Sequence, residues 1–185
     1  MSGSIQALFQ RLTQGVYVVG VGRREARNAF TAAWVMQVSF DPLLLALSIN
    51  PRHSSYGLLK QGHAFSVNVL KKGQLELAAR FGQPAATDKL GATAWTTGRC
   101  GTPLLREAVA WFECEVAGEH QAGDHVLVLG KVIDGKLLDA EAEPLTYRET
   151  GAMDGASALF PGAFGDCSVA LQSSGSPDDP DLSGR

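Results

Sequence analysis

Three short stretches carry the residues best suited to chemistry. In "PRHSSYG" (51–57), Ser54 and Ser55 place two hydroxyls at the start of a short predicted helix. Unpaired backbone N–H groups and the helix dipole favour an anion there, although the same pair also fits an ordinary helix cap. Arg52, Arg80 and Lys89 are the candidate cations for such an anion, and each in isolation is more often a solvated surface charge than a ligand. In "GDHVLVLGKV" (123–132), His125 follows Gly123 and Asp124 at the head of a long predicted strand. An imidazole there can hydrogen-bond a ligand or balance charge, with Asp124 orienting the turn or the ring, while Gly-Asp-His also makes a plain β-turn. The third stretch, "NAFTAAWVMQVSFDP" (28–42), sets small residues, a Trp, a Met, a Gln and a Ser side by side without helical or strand alternation. It reads as neither a plain core strand nor a plain loop, and the bare residues suit a buried strand packed through small side chains.

What is missing narrows the chemistry. There is no Ser/His/Asp arrangement, no pair of carboxylates near a His, and no GxGxxG or Walker loop. Cys100, Cys114 and Cys167 stand far apart, without the spacing of a zinc site or a disulfide framework, so no metal is expected. A formal net charge of -3 offers no basic footprint for nucleic acid. The opening "MSGSIQALFQRLTQG" lacks the features of a signal peptide, and no apolar run reaches membrane-spanning length. A reducing, cytoplasmic setting is expected.

The elements that must position these residues follow from periodicity. At 185 residues, 45% hydrophobic and 19% charged, the chain suits one globular domain, taken as residues 1–171. The Ser-, Gly-, Pro- and Asp-rich segment 172–185 is expected to be a disordered tail. Ile5, Leu8, Phe9 and Leu12 predict a short amphipathic helix lying on the body, capped by Ser4 and stopped at Gly15. Strands are predicted at 16–21, 43–49 and 64–70, with a turn over 22–28, and the continuous apolar run 43–49 suggests a central strand buried on both faces. Residues 53–62 and 73–82 predict helices, the second closed by Gly82. Ala110, Phe112, Cys114 and Val116 alternate with Trp111, Glu113 and Glu115, and a long strand from Val126 to Ile133 completes a hairpin. "PLTYR" (144–148) suggests a last short strand. Asn68, between apolar neighbours, is expected to be a satisfied edge amide. The sum is a mostly β protein, a closed or nearly closed antiparallel barrel with a few short peripheral helices.

In order and spacing, "GVYVVG", "NAFTAAWVMQVSFDP", "INPRHSSYGLLKQGHAFSVNVL", "LAARFG" and "GDHVLVLGKV" resemble the flavin reductase-like, FMN-binding split β-barrel family across roughly residues 10–150. The resemblance implies a Greek-key split barrel, a homodimer with FMN at the subunit interface, and NAD(P)H-dependent flavin reductase activity. It implies hydride transfer from nicotinamide C4 to flavin N5, with NADH or NADPH as donor and a monooxygenase as a partner for the reduced flavin. The alternatives are an FMN-binding electron carrier on the same barrel and a binding barrel without flavin.

Under that resemblance the residues acquire roles. Thr31, Ala32 and Ala33 bring backbone amides to the edge of the flavin ring, Trp34 and Val35 supply apolar contact, and Gln37 and Ser39 add polar contacts. Ser54, Ser55 and Arg80 hold the phosphate, Arg80 being favoured because "RFG" recurs at this place in the family. His125 serves the nicotinamide or the reduced flavin. The chain departs from the family at Trp34, where a small polar residue is usual. Its indole stacks on the flavin, covers the nicotinamide position, or points into the core.

Overall fold

β-Branched and aromatic residues at alternating positions build most of this molecule, a computed structural model that describes residues 5–84, 88–151 and 153–164. A five-residue helix, Ile5–Phe9 (α1), precedes a hairpin of Tyr17–Arg23 (β1) and Ala26–Ala32 (β2). The turn between them is tighter than the expected 22–28, with Arg24 at φ 55°. Ala33 and Trp34 lead directly into Val35–Phe40 (β3), and the cis Asp41–Pro42 bond leads into Leu43–Ile49 (β4). Ser54–Gly62 (α2), Ala64–Val69 (β5) and Leu75–Phe81 (α3) follow, then the short strands Trp95–Thr97 (β6) and Pro103–Leu105 (β7). The long hairpin of Ala110–Ala122 (β8) and His125–Leu137 (β9) completes the strands. Two 3-10 turns, Tyr147–Thr150 and Ala156–Leu159, run along the outside.

Seven strands form one antiparallel sheet in the order β2-β1-β5-β8-β9-β4-β3, and β6 and β7 pair separately. The two edge strands are consecutive in the chain, so the sheet curls back on itself around the Ala33–Trp34 corner. This is the expected mostly β barrel with short peripheral helices. Its strand β1 is buried on both faces. Val19 and Val21 join Leu47, Phe65, Val67, Cys114 and Val128 inside the curl, while Val18 packs outward with Ala29, Leu70, Ala78, Phe81 and Leu105 under α3.

Several expectations change. The run 43–49 forms the strand with the predicted bounds, and Leu45, Ala46, Leu47 and Ile49 are buried, but β4 lies second from the edge rather than at the centre. A continuous apolar run reports burial on two faces, not rank in the sheet. Helix α1 ends at Phe9, well before Gly15, and only Ile5 is buried, while Leu8, Phe9 and Leu12 are about half exposed. The segment 144–148 makes only isolated bridges, Lys71 with Pro144 and Gly15 with Thr146, before turning into a 3-10 helix. The expected Ser4 cap and the tail 172–185 lie outside the described residues.

Two buried polar side chains tie the layers together. Asn68 sits in the interior of the sheet rather than at an edge, as a fully satisfied amide. It donates to Val18 O at 2.9 Å and Pro103 O at 3.3 Å and accepts from Leu105 N at 2.8 Å, which fixes β7 to β1 and β5. Glu113 breaks the inside-outside alternation of β8: a bulge lies between it and Cys114, and both are fully buried. Its carboxylate accepts from Arg99 N and Cys100 N at 2.8 Å and from Thr102 Oγ1 at 3.0 Å.

Candidate active site

The sheet's pairing brings the three chemical stretches toward one region. β4 pairs with both β3 and the start of β9, with Val35 opposite Leu47 and Ile49 opposite Val126. The Trp34 corner, the head of β9 and the loop leading from β4 into α2 are therefore neighbours. The exposed Trp34 indole packs on the His125 imidazole, ring centroids 4.9 Å apart at 56°. The indole's expected alternatives thus lose the core option. His125 Nδ1 lies 2.8 Å from Asp124 Oδ1. That hydrogen bond is the main cause holding the Asp124 carboxyl below its ordinary range, with the charge of Arg52 among the smaller contributions.

The N-terminus of α2 is built more tightly than its sequence suggested. His53 is the N-cap: its Nδ1 accepts from Ser55 N at 3.2 Å, and its ring packs on Phe30 with centroids 4.5 Å apart. Ser55 is buried and its Oγ accepts from Asn28 Nδ2 at 3.0 Å, so β2 is tied to the helix start, whereas Ser54 stays exposed. Burial lowers the His53 pKa, and the positive charge of Lys89 lowers it further. A neutral imidazole agrees with its role as hydrogen-bond acceptor.

Lys89 is the buried cation of this region. It is 3% exposed, and its ammonium donates to Phe81 O at 3.3 Å and Gln83 O at 3.1 Å, two carbonyls at the end of α3. Among the described residues it makes no ion pair with a carboxylate. Burial lowers its pKa. Arg80, the cation favoured from sequence, instead directs Nη1 to Ala92 O at 2.8 Å and Thr93 Oγ1 at 3.3 Å.

The 31–39 segment divides. Thr31 Oγ1 donates to Ala78 O at 2.6 Å, and Ala32 and Val35 pack against the barrel core, so these side chains anchor the corner. Ala33 is half-buried beside Trp34. Further along β3, exposed Gln37 donates to Ser39 O at 3.4 Å, across a bulge in the pairing with β4. No contact joins Gln37 or Ser39 to the Trp34–His125 pair among the described residues.

With this geometry, comparison with known proteins is informative. The family model "Flavin reductase like domain" matches residues 9–156. The chain belongs to the flavin reductase like family. An NADH-dependent FMN reductase, AsuE2, from Streptomyces nodosus subsp. asukaensis is 35% identical over 74% of this chain and 75% of its own length. The solved NADH:FAD oxidoreductase SgcE6 of Streptomyces globisporus C-1027 superposes with a TM-score of 0.73 and 28% identity, covering 79% of this chain and 88% of that one. A solved flavin reductase component of a bacterial two-component tryptophan halogenase, BorF, gives a TM-score of 0.71 at 29% identity over 79% of this chain and 92% of its own. These flavin reductase likenesses identify the sheet as a split barrel. Against other curated relatives, the chain spans only 24% to 40% of their length.

The donor set fits a flavin mononucleotide. A phosphate needs a cation not already neutralised and a helix start with hydroxyls; Lys89 provides the first, and Ser54 and Ser55 the second. Sequence inspection missed His53 altogether, although a His directly before Ser-Ser at a helix start is a visible capping signal. Arg80 was favoured over Lys89 on the recurring "RFG"; the burial of Lys89 leaves no local mark in sequence.

Proposed function

We propose that this flavin reductase like protein is an NAD(P)H:FMN oxidoreductase. What supports this reading is a pair of features flanking the β4–α2 loop: the start of α2 with Ser54 and Ser55, whose His53 cap feels the charge of buried Lys89, and the Trp34–His125 pair, whose Asp124 feels the charge of Arg52. When bound, FMN supplies a ring whose N5 accepts a hydride from nicotinamide C4. The protein's work is then binding and orientation. Lys89 and the start of α2 hold the phosphate, with Arg80 behind them as a second cation. Thr31, Ala32 and Ala33 present backbone at the ring edge, Val35 gives an apolar wall, and Gln37 and Ser39 extend the polar rim. His125 donates or accepts a hydrogen bond at the carboxamide or ribose of the donor. No covalent nucleophile or strong acid is needed, because proximity supplies most of the rate.

NADH is the proposed donor, on the strength of the 35% identical NADH-dependent relative. The half-exposed mouth at Trp34 suits release of reduced flavin to a second flavin-using enzyme such as a monooxygenase or halogenase. A homodimer completes the proposal. β3 is an edge strand with Met36, Val38 and Phe40 exposed, Phe40 to 89%, and an uncovered apolar edge of this kind favours pairing. A cytoplasmic setting suits Cys100 and Cys114, which are free thiols.

The test is FMN titration followed by NADH oxidation. Quenching of flavin fluorescence at micromolar protein, and NADH consumption that depends on added FMN, are expected. Tight FMN binding without NADH or NADPH oxidation would make the protein a carrier. No FMN binding would remove the flavin reading.

A further inference from the structure

We propose that Trp34 is a positioning residue for His125, fixing the imidazole so that Nε2 faces the ligand. The proposal rests on the reductase reading for its effect on rate, but not for the contact itself. The His125 imidazole has two restraints. One is its Nδ1 hydrogen bond to Asp124 at 2.8 Å, but the Asp124 side chain is 86% exposed. A bond to so exposed a partner selects the tautomer, and water competing for the carboxylate weakens its hold on the ring. The other is the indole, 4.9 Å away and tilted by 56°, which bears on the ring itself.

Trp34 is in turn held by backbone. Its carbonyl accepts from Ser48 N at 2.9 Å, and Val35 N donates to Ala33 O at 3.1 Å, so the corner is locked onto β4. The backbone of His125 is equally fixed at the end of the β8–β9 hairpin, where it pairs with Ala122 and its carbonyl accepts from Gln121 Nε2 at 3.2 Å. Two backbone-anchored positions, the β2–β3 corner and the start of β9, therefore set the side-chain angle of one imidazole. Nδ1 is committed to Asp124, which leaves Nε2 as the nitrogen available to a ligand.

Two measurements test this. In flavin-free protein labelled at histidine, the ring protons of His125, assigned with His125→Gln, should be displaced upfield by the indole ring current. Trp34→Ala should return them to ordinary values, and Trp34→Phe should keep part of the displacement. At matched flavin occupancy, Trp34→Ala should slow NADH-dependent flavin reduction about 2- to 10-fold, the range set by one aromatic pair. Trp34→Phe should recover most of that rate. Trp34→Ala combined with His125→Ala should be no slower than His125→Ala alone, because the indole acts through the imidazole. Unshifted His125 protons in the wild type would overturn the contact, whatever the activity. A rate loss that adds fully to that of His125→Ala would overturn positioning even with the contact present. A normal ring-current pattern in a protein that does not oxidise NADH would support the contact and count against the reductase reading alone.

Discussion

Replacing Lys89 with Met probes the phosphate site most directly. The change keeps length and apolar character and removes only the charge and its donors. Lys89 is 3% exposed, and among the described residues its ammonium bonds to Phe81 O and Gln83 O with no carboxylate competing for it. A hydrogen bond to a charged group contributes about 1.5 to 3 kcal/mol, so FMN affinity should fall roughly 10- to 150-fold. Riboflavin, which has the same ring and no phosphate, should bind wild type and variant alike. The charge also predicts a pH dependence. Burial lowers the Lys89 pKa from its ordinary 10.5, so the free protein loses this proton earlier than an exposed lysine would. A bound phosphate favours the ammonium, so affinity should be full near neutral pH and decline as pH rises through the lowered pKa. Lys89→Met should flatten that decline. Flavin fluorescence titrations from pH 7 to 10, on samples shown to be folded by circular dichroism, decide the matter. Equal losses for FMN and riboflavin, or an unchanged FMN affinity, would refute the assignment.

His125→Ala should leave FMN affinity nearly unchanged and slow stopped-flow reduction by NADH about 2- to 150-fold, the span of one neutral to charge-assisted hydrogen bond. Phe40→Asp, on the edge strand β3, should shift the protein from dimer to monomer in light scattering, and a wild type that is already monomeric would refute the dimer. Asn68→Ala strips partners from Val18 O, Pro103 O and Leu105 N in the interior. Pro103 O keeps the Ser66 hydroxyl, so two groups lose their partner at about 1 to 3 kcal/mol each, and urea unfolding should show a loss of roughly 2 to 6 kcal/mol.

The legible parts of this fold were those written in local pattern. Strands β4 and β5 and helix α2 coincide almost residue for residue with expectation, because apolar runs bounded by Pro42, Asn50 and Gly62 are self-contained signals. The β8–β9 hairpin was visible for the same reason. Glu113 was not, because its burial depends on a distant turn folding over β8, and alternation alone assigned it to solvent. The rank of β4 in the sheet, the half-exposed face of α1 and the burial of Lys89 are likewise tertiary facts. The candidates His125, Ser54 and Ser55 came from short motifs, whereas the contact of Trp34 with His125 joins a corner and a strand that only the sheet order brings together.

The buried carboxylate of Glu113 has an evolutionary consequence. A charge sealed from water and satisfied by three donors from one short turn makes that turn intolerant of insertion or deletion, because moving any donor strands the charge. Gly98 is constrained with it, since a β-carbon there would collide with the same carboxylate. A surface loop without such a buried partner carries no comparable constraint on its length. The segment from Gly98 to Thr102 should instead keep its residue count wherever the glutamate is kept, and the two should be lost together.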